Sequence, residues 1–319
     1  MDHLDGWRGL AILLVLQSHF LPWKPVDTGR LGVEVFFSLS GLLMSGLLFE
    51  RRTPLGLFYK RRISRILPAF VLFVGVVHVW AAWRGAAVDA VALVSTLTFM
   101  RTYWPADPPI WNTGLPIGHL WSLNVEEHSY ILLSLVTLAT AVRSRVAIVL
   151  LCGFLTTVLI HAWYAHLPES KEVDFELRTE VAAALLLASA GYALVRHRVV
   201  AHVRPWMPLV AMAMAALAHR QGAHWWEQAV VSPVVLAFAV NHLAEAPGWL
   251  RELLSNRVMM AFGLWSYSLY LWQQPFAQSL PQLGSGAAFA ATMTLGLVSY
   301  YGWERPWRVW LNQRWTRTP

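Results

Sequence analysis

Long apolar runs restrict the folds open to this sequence more than any other feature. The run from Ala147 to Tyr164 contains no Asp, Glu, Lys or Arg. As a helix it would rise roughly 27 Å, close to the ~30 Å hydrocarbon core of a bilayer. Over the whole chain 13% of the residues are charged, about half of the ~25% that is usual in soluble domains. The chain is therefore predicted to be an all-α integral membrane protein, because helices satisfy their own backbone hydrogen bonds within lipid.

Ten segments are apolar enough to be predicted as transmembrane helices. They are residues 7–23, 31–49, 66–83, 119–142, 146–166, 181–195, 205–219, 228–244, 258–276 and 286–303. With both termini in the cytoplasm, most Lys and Arg residues fall in cytoplasmic loops, as the positive-inside rule requires. This distribution explains the net charge of +7 without nucleic acid as a partner. Residues 86–104 contain Asp89 and Arg101 and are predicted to form a re-entrant or interfacial segment.

The end of the chain has the pattern of an amphipathic helix. Trp303, Trp307, Trp310 and Arg314 recur at helical spacing around Pro306. Such a helix lies on a membrane surface with its aromatic rings among the lipid headgroups. Residues 304–319 are therefore predicted to form a cytoplasmic amphipathic tail that contacts membrane lipids.

Two ionisable residues of the first predicted span are candidates for function. An ionisable residue inside a membrane costs at least a few kcal/mol, which makes it a functional candidate by default. Arg8 and His19 are separated by three helical turns plus about 20°, so both lie on one helix face about 16 Å apart. The alternative is that Arg8 only anchors the helix end and that His19 is a hydrogen-bonded packing residue.

Carboxylates in other predicted spans support the catalytic interpretation. Glu34 and Glu126 are predicted to lie at a depth similar to that of His19. A carboxylate that accepts a hydrogen bond from one imidazole nitrogen leaves the other nitrogen as a base, which is the usual way to activate a hydroxyl. Either Glu34 or Glu126 is expected to orient His19 in this way.

Six blocks of sequence, in order along the chain, give a further indication. They are Asp5-Gly6-Trp7-Arg8-Gly9 with His19, Gly32 to Gly41, Phe58 to Pro68, His119 to Glu127, Ser266 to Trp272, and Glu304-Arg305-Pro306. Together they resemble the acyltransferase 3 family of bacterial multipass membrane acyltransferases. The sequence departs from the family pattern at three places. Glu34 stands where Asp is commoner, Gln273 stands where a histidine is usual, and His128-Ser129-Tyr130 replaces the aromatic that usually follows Glu-Glu-Gln.

The resemblance implies a single acyltransferase membrane domain over residues 1–319 in the bacterial cytoplasmic membrane. Many members of the family carry a fused soluble extracytoplasmic domain, and none is expected here. It also implies transfer of an acyl group, with acetyl expected, from cytosolic acyl-CoA to a hydroxyl of a glycan or other exported acceptor. Acyl-CoA would be a substrate, and neither a metal nor a permanently bound cofactor is expected. The catalytic residues would be His19, Arg8 and Glu126. The residues expected to bind substrate are Asp5, Glu34, Arg61, Arg62, Arg65, His119, Trp121, Ser122, Ser268 and Tyr270.

The basic segment from Phe58 to Pro68 is interpreted as a cytoplasmic loop with two alternative roles. Its Arg61, Arg62 and Arg65 would bind the phosphates of CoA, an anion that needs several cations. Alternatively, these cations would only set the topology by binding anionic lipid.

Two other classes of protein fit the composition. One is a polytopic transporter or flippase for an anionic or glycan substrate, since buried Arg, His and Glu residues also suit transport. The other is a regulator that binds acyl-CoA without turnover. The lack of a recognisable internal repeat in the sequence disfavours the transporter.

Overall fold

The structure is a computed structural model that describes residues 2–21, 25–85, 89–105, 110–111, 114–140, 142–167 and 174–316. Within these residues all extended regular structure is helical and no strand is present, which confirms the all-α prediction. The chain divides into two compact units. Unit 1 is formed by Met1–Arg52 with Val125–Leu264, and unit 2 by Thr53–Asn124 with Trp265–Pro319.

The described part of the chain contains fifteen α-helices. In chain order they are α1 Asp2–Phe20, α2 Thr28–Met44, α3 Leu55–Trp83, α4 Ala90–Leu97, α5 Trp121–Ala139, α6 Arg143–His166, α7 Thr179–Ala182, α8 Ala184–Val195, α9 Met207–Ala218, α10 Ser232–Asn241, α11 Gly248–Leu254, α12 Arg257–Gln278, α13 Leu280–Leu283, α14 Ser285–Ser299 and α15 Arg305–Thr316. π-Helical turns at Ser45–Glu50, Glu227–Val231 and Tyr300–Glu304 extend α2, lead into α10 and join α14 to α15. Each of the ten predicted segments lies largely within helical residues.

Four helical stretches are long and apolar enough to cross a membrane. Among the described residues these are Thr28–Glu50, Leu55–Trp83, Arg145–His166 and Thr179–Arg198. Two shorter apolar helices cover Met207–Ala218 and Glu227–Asn241. These stretches fit a location in a membrane, whereas the count of ten spans stays a prediction.

Close helix crossings build the centre of unit 1. There α1 packs on α2, α2 packs on α8, and α8 packs on both α6 and α10. A Cβ placed on Gly32 would lie 2.6 Å from the carbonyl oxygen of Ala11, and one on Gly41 would lie 2.3 Å from that of Leu186. Only glycine fits at such distances, so α2 meets both neighbours backbone to backbone. Small residues allow this close approach between apolar helices, where burial of apolar surface supplies little driving force in lipid.

The first turns of α1 are held in the same way. A Cβ on Gly6 would lie 1.8 Å from the carbonyl oxygen of Leu254 at the end of α11. One on Gly9 would lie 2.2 Å from the carbonyl oxygen of Met259 in α12. The glycines of the Asp5-Gly6-Trp7-Arg8-Gly9 block therefore fix the position of the helix that carries Arg8 and His19.

Helix α3 supplies much of the core of unit 2. Phe70 and Phe73 are fully buried and belong to a cluster that also contains Leu120 and Leu271. Helix α15 packs on α3, and the Ser64 hydroxyl donates to the Asn312 side-chain oxygen across this contact at 3.1 Å.

Most of the predicted amphipathic tail is helical, as α15, and residues 317–319 lie outside the described residues. Its Trp307 ring lies 5.5 Å from that of Trp303 and 5.2 Å from that of Trp310. The Arg314 guanidinium lies 5.1 Å from the Trp310 ring. All three tryptophans are exposed, which leaves an aromatic stripe on the surface of α15 and of the π-helical turn before it. The cytoplasmic position of this tail stays a prediction.

The predicted loop from Phe58 to Pro68 is wrong, because this segment is helical. Helix α3 begins at Leu55, directly after Pro54, instead of at residue 66. Arginine and lysine are good helix formers, and Pro54 precedes the first turn, where a helix start tolerates proline. The basic residues are therefore displayed on a rigid helix.

Residues 86–104 do not cross a membrane as one helix. Residues 86–88 lie outside the described residues, and the remainder forms the eight-residue helix α4 and a series of turns. A helix of this length rises about 12 Å, well short of a ~30 Å hydrocarbon core. The structure is compatible with the predicted re-entrant or interfacial segment.

Candidate active site

His19 lies in the last turn of α1 and is half-buried. Its Nδ1 is 2.9 Å from the carbonyl oxygen of Val15, one turn earlier. A carbonyl oxygen only accepts hydrogen bonds, so Nδ1 carries a proton, and in a neutral ring Nε2 is then the basic nitrogen. This tautomer suits a general base.

Arg8 and Asp5 form an ion pair one turn apart on α1. The Arg8 Nη1 donates to the Asp5 Oδ1 at 2.7 Å. The Arg8 side chain is 18% exposed and that of Asp5 is 49% exposed, so the pair stands at the edge of unit 1. Because α1 is unbroken from Asp2 to Phe20, Arg8 and His19 share one helix, as the sequence predicts.

Glu126 belongs to a cluster of hydroxyl groups between α2 and α5. The Ser40 hydroxyl donates to the Glu126 Oε1 at 2.7 Å, and the Tyr130 hydroxyl donates to the same oxygen. The two hydroxyl oxygens are 3.2 Å apart, so the three groups form a triangle. Tyr130 is fully buried. Two fixed donors thus orient this carboxylate.

Glu34 has a different set of partners, all within unit 1. Its Oε1 accepts from the Arg30 Nε at 3.2 Å. Its Oε2 accepts from the Ser232 hydroxyl at 2.5 Å and lies 3.1 Å from the His219 Nε2. Glu34 and His219 are both buried. The carboxylate of Glu34 therefore orients His219, and the alternative that it orients His19 is wrong.

The backbone around His219 holds this cluster in place. The Asp27 amide donates to the His219 carbonyl oxygen at 2.8 Å, and Val26 and Arg220 form an isolated antiparallel bridge. Asp27 also caps α2, because its side chain accepts from the Arg30 amide at 2.9 Å. A carboxylate at this position satisfies an otherwise unpaired backbone donor of the first helical turn.

A second group of predicted residues comes together in unit 2. The Tyr270 hydroxyl lies 2.7 Å from the Ser122 hydroxyl oxygen and donates to the His119 carbonyl oxygen at 2.9 Å. The His119 ring makes edge contacts with Tyr270 and with Phe73, at 5.2 and 5.5 Å between centroids. His119, Ser122 and Tyr270 are buried, as is Trp121.

Ser268, also in unit 2, contacts the last block of the sequence. Its hydroxyl donates to the Glu304 Oε2 at 2.7 Å. The other oxygen of Glu304 lies 3.7 Å from the Arg308 Nη1, and Arg65 acts on the same carboxylate electrostatically. Glu304 is 1% exposed. Ser268 thus holds a buried carboxylate that joins α12 to the start of α15.

The three candidate phosphate-binding cations lie on consecutive turns of α3. Arg61 and Arg65 are separated by about 40° around the helix axis and Arg62 falls about 60° beyond, so all three lie within an arc of about 100°. Arg61 is exposed, whereas Arg62 and Arg65 are half-buried. A helix that displays three cations on one side offers several charge-assisted contacts to a phosphate-bearing ligand.

Comparisons with known proteins give the family. The family model described as an acyltransferase domain, Acyl_transf_3, matches residues 1–303. The chain belongs to the acyltransferase 3 family. This confirms the resemblance seen in the six sequence blocks. No solved structure matches this acyltransferase 3 chain.

Curated relatives of this family member come from several bacteria. A Staphylococcus aureus (strain MSSA476) protein named "Putative O-acetyltransferase" is 24% identical over 85% of this chain and 50% of its own length. A Bacillus subtilis protein named "Putative peptidoglycan O-acetyltransferase" is 24% identical over 96% of this chain and 54% of its own length. The peptidoglycan O-acetyltransferase OatA of Listeria monocytogenes is 30% identical over 40% of this chain and 23% of its own length. The chain spans about half the length of the curated relatives that it matches most extensively.

Several side chains that contact the two candidate carboxylates of this family member are not singled out by the sequence. They are Ser40 and Tyr130 beside Glu126, and Arg30, His219 and Ser232 beside Glu34. His219 directly follows the apolar run of α9, so the rule that flagged His19 also applies to it. The hydroxyl groups carry no such signal, because Ser and Tyr are common within apolar helices.

Proposed function

We propose that this protein is a membrane O-acyltransferase that moves an acyl group from acyl-CoA to a hydroxyl of an exported glycan. The observation that carries the proposal is the half-buried His19 on the Arg8 helix, with Nδ1 bound to a carbonyl oxygen and Nε2 as the basic nitrogen. A positioned imidazole in this tautomer is a competent general base near neutral pH. Membership of the acyltransferase 3 family supports the reaction class.

In the proposed reaction, Nε2 of His19 removes the proton of the acceptor hydroxyl. The hydroxyl oxygen attacks the thioester carbonyl carbon, the new C–O bond forms, and the C–S bond to CoA breaks. The imidazolium returns its proton to the leaving thiolate, so that an ester and CoA are released. In an alternative sequence His19 is itself acylated first and then transfers the group. Arg8 and Glu126 assist, Arg8 as a cation for developing negative charge and Glu126 as a carboxylate beside the imidazolium.

The donor is proposed to be acyl-CoA, with acetyl-CoA expected. Arg61, Arg62 and Arg65 would bind its phosphates, because several guanidinium groups on one helix suit a multiply charged anion. His119, Trp121, Ser122, Ser268 and Tyr270 are proposed to contribute to substrate binding together with Asp5 and Glu34. The names of the relatives support a cell-wall glycan as the source of the acceptor hydroxyl.

The proposed setting is the bacterial cytoplasmic membrane, crossed ten times by one domain over residues 1–319 with both termini in the cytoplasm. The helical character of all ten predicted segments supports this arrangement, as does the concentration of Lys and Arg in the loops assigned to the cytoplasm.

The test is acyl transfer by purified protein in liposomes, with acetyl-CoA radiolabelled in its acetyl group and soluble peptidoglycan fragments as acceptor. His19→Ala should lower the transfer rate by about 10²–10⁴-fold, the range for loss of a general base. His166 is a matched control, since its Nδ1 also binds the carbonyl oxygen one turn earlier, at 2.6 Å from Ala162. His166→Ala should keep the normal rate. A His19→Ala protein with a near-normal rate would exclude this mechanism, and absence of any label transfer or acetyl-CoA hydrolysis by the unaltered protein would favour the transporter or the non-catalytic regulator.

A further inference from the structure

An apolar groove in unit 1 has no part in the proposed chemistry. It has a volume of about 870 Å³ and runs between α6, α8 and α10. Pockets of roughly 300–1,000 Å³ are typical of bound small molecules. Small residues on all three helices, such as Ala147, Gly191 and Ala237, line it. The groove therefore has room for an elongated apolar group.

The walls of this groove are open to the surroundings of the protein. Ile148, Leu151 and Val234 line it and are 60%, 55% and 49% exposed. In a chain with apolar helices of membrane-spanning length, exposed aliphatic side chains of this kind face lipid. The groove is accordingly accessible to a molecule that enters sideways from a bilayer.

One end of the groove is cationic. Its lining ends in His197 and Arg198, in the turn that follows α8. The neighbouring Arg196 is paired with Glu245 at 3.3 Å, and the Tyr192 hydroxyl is hydrogen-bonded to the His242 Nε2 at 2.9 Å. Within the described residues Arg198 has no hydrogen-bond or ion-pair partner, and it is exposed. The groove thus combines a long apolar wall with an exposed guanidinium, that of Arg198, at its end.

We propose that this groove binds an anionic phospholipid, with one acyl chain along α6, α8 and α10 and the headgroup phosphate on Arg198. The order of groups along the groove, an apolar wall and then a cation, matches the order of groups in a phospholipid, in which the negative phosphate lies beyond the apolar acyl chain. The positive-inside rule assigns the Arg198 end to the cytoplasmic leaflet, where anionic lipids are enriched. The guanidinium suits the phosphate oxygens through paired hydrogen bonds. A soluble phosphate would gain nothing from the apolar wall.

The test uses protein in nanodiscs that contain phosphatidylglycerol with a diazirine in one acyl chain, followed by irradiation and mass spectrometry of the peptides. Cross-links should concentrate on residues 147–154, 187–195 and 234–238. Arg198→Ala should lower this cross-linking about fivefold, the effect of one cation at a membrane surface. Ala188→Phe, which places a ring in the groove, should abolish it. Arg204→Ala is the matched control, because Arg204 is exposed in the same connection but does not line the groove. It should leave the cross-linking unchanged.

Two further measurements distinguish an anionic phospholipid from a zwitterionic lipid and from a soluble phosphate. The same diazirine on phosphatidylcholine should label the groove more weakly, and glycerol 3-phosphate should not compete with the labelled lipid. Size-exclusion profiles and thermal midpoints verify folding, and Ala147→Phe replaces Ala188→Phe if the latter fails to fold. Labelling spread evenly over other exposed helices, labelling insensitive to Arg198, or competition by glycerol 3-phosphate would each overturn the proposal.

Discussion

The carboxylates of two predicted spans, Glu34 and Glu126, have different partners in this structure. Glu126 is held by the neutral hydroxyls of Ser40 and Tyr130, whereas Glu34 is held by Arg30 and His219. The Nδ1 of His219 lies 2.8 Å from the Ala215 carbonyl oxygen. The Nε2 of the same ring lies 3.1 Å from the Glu34 Oε2, so His219 faces an acceptor with each ring nitrogen.

At the level of single residues, loss of His219 should destabilise the protein strongly. His219→Ala leaves the buried Glu34 carboxylate without the imidazole beside it, and breaking a buried pair costs about 3–5 kcal/mol. The double variant Glu34→Gln with His219→Ala should recover part of this loss, because the buried charge is also removed. Unfolding by sodium dodecyl sulfate in mixed micelles gives the free energies, with His166→Ala as the control. Equal stability of the single and double variants would show that the two groups are not coupled.

At the level of helices, glycine contacts decide where α1 lies. Gly6 and Gly9 meet the backbones of α11 and α12, and Gly32 meets the backbone of α1 itself. Helix α1 carries His19 and Arg8, so its position determines where the proposed base stands. Contacts between backbones leave little freedom for such a helix to shift without loss of packing.

Gly6→Ala should therefore lower both stability and acyl transfer. Its Cβ would lie 1.8 Å from the Leu254 carbonyl oxygen, so α1 must move away from α11. Gly75→Ala in α3 is the matched control, since nothing lies within 4 Å of a Cβ placed there. The control should be neutral or stabilising by up to about 1 kcal/mol, because alanine favours a helix over glycine. A Gly6→Ala protein as stable and active as Gly75→Ala would contradict the tight crossing.

The basic face of α3 gives a second prediction about a helix. Arg61→Gln with Arg62→Gln should raise the acetyl-CoA concentration for half-maximal rate by roughly tenfold or more, since each charge-assisted hydrogen bond contributes about 1.5–3 kcal/mol at most. The maximal rate should change little, and added salt should weaken donor binding in the unaltered protein. Arg204→Gln is the control, because it removes an exposed cation from the connection between α8 and α9. If donor binding is unchanged in the double variant, these cations only set topology.

Over the entire chain, each compact unit is assembled from two distant stretches of sequence. Unit 1 joins Met1–Arg52 to Val125–Leu264, and unit 2 joins Thr53–Asn124 to Trp265–Pro319. Residues predicted to act on one substrate are thus distributed over both units, with His19 and Glu126 in unit 1 and Arg61 and Tyr270 in unit 2.

The membrane topology is the prediction that belongs to the entire chain. Reporter fusions after Arg145 and Pro319 should report the cytoplasm, and a fusion after Glu176 should report the outside, because the basic loops stay on the inner side. Protease accessibility in inverted vesicles is an independent measurement. An outside signal at Arg145 would mean that the connection between α3 and α5 contains a further crossing.

Hydropathy and motif order were sufficient to predict an all-α chain with apolar helices long enough to cross a membrane, its helical segments and its family, because these properties depend on residues close together in sequence. The extension of α3 back to Leu55 was missed, since its basic turns resemble a loop when only apolar runs are counted. The pairing of side chains was decided by the tertiary structure alone. Glu34 is far in the chain from His219 and Ser232, and a carboxylate at a given depth can orient whichever imidazole its neighbouring helices bring within hydrogen-bond distance. Here the packing of α2 beside α9 and α10 brings His219 to Glu34.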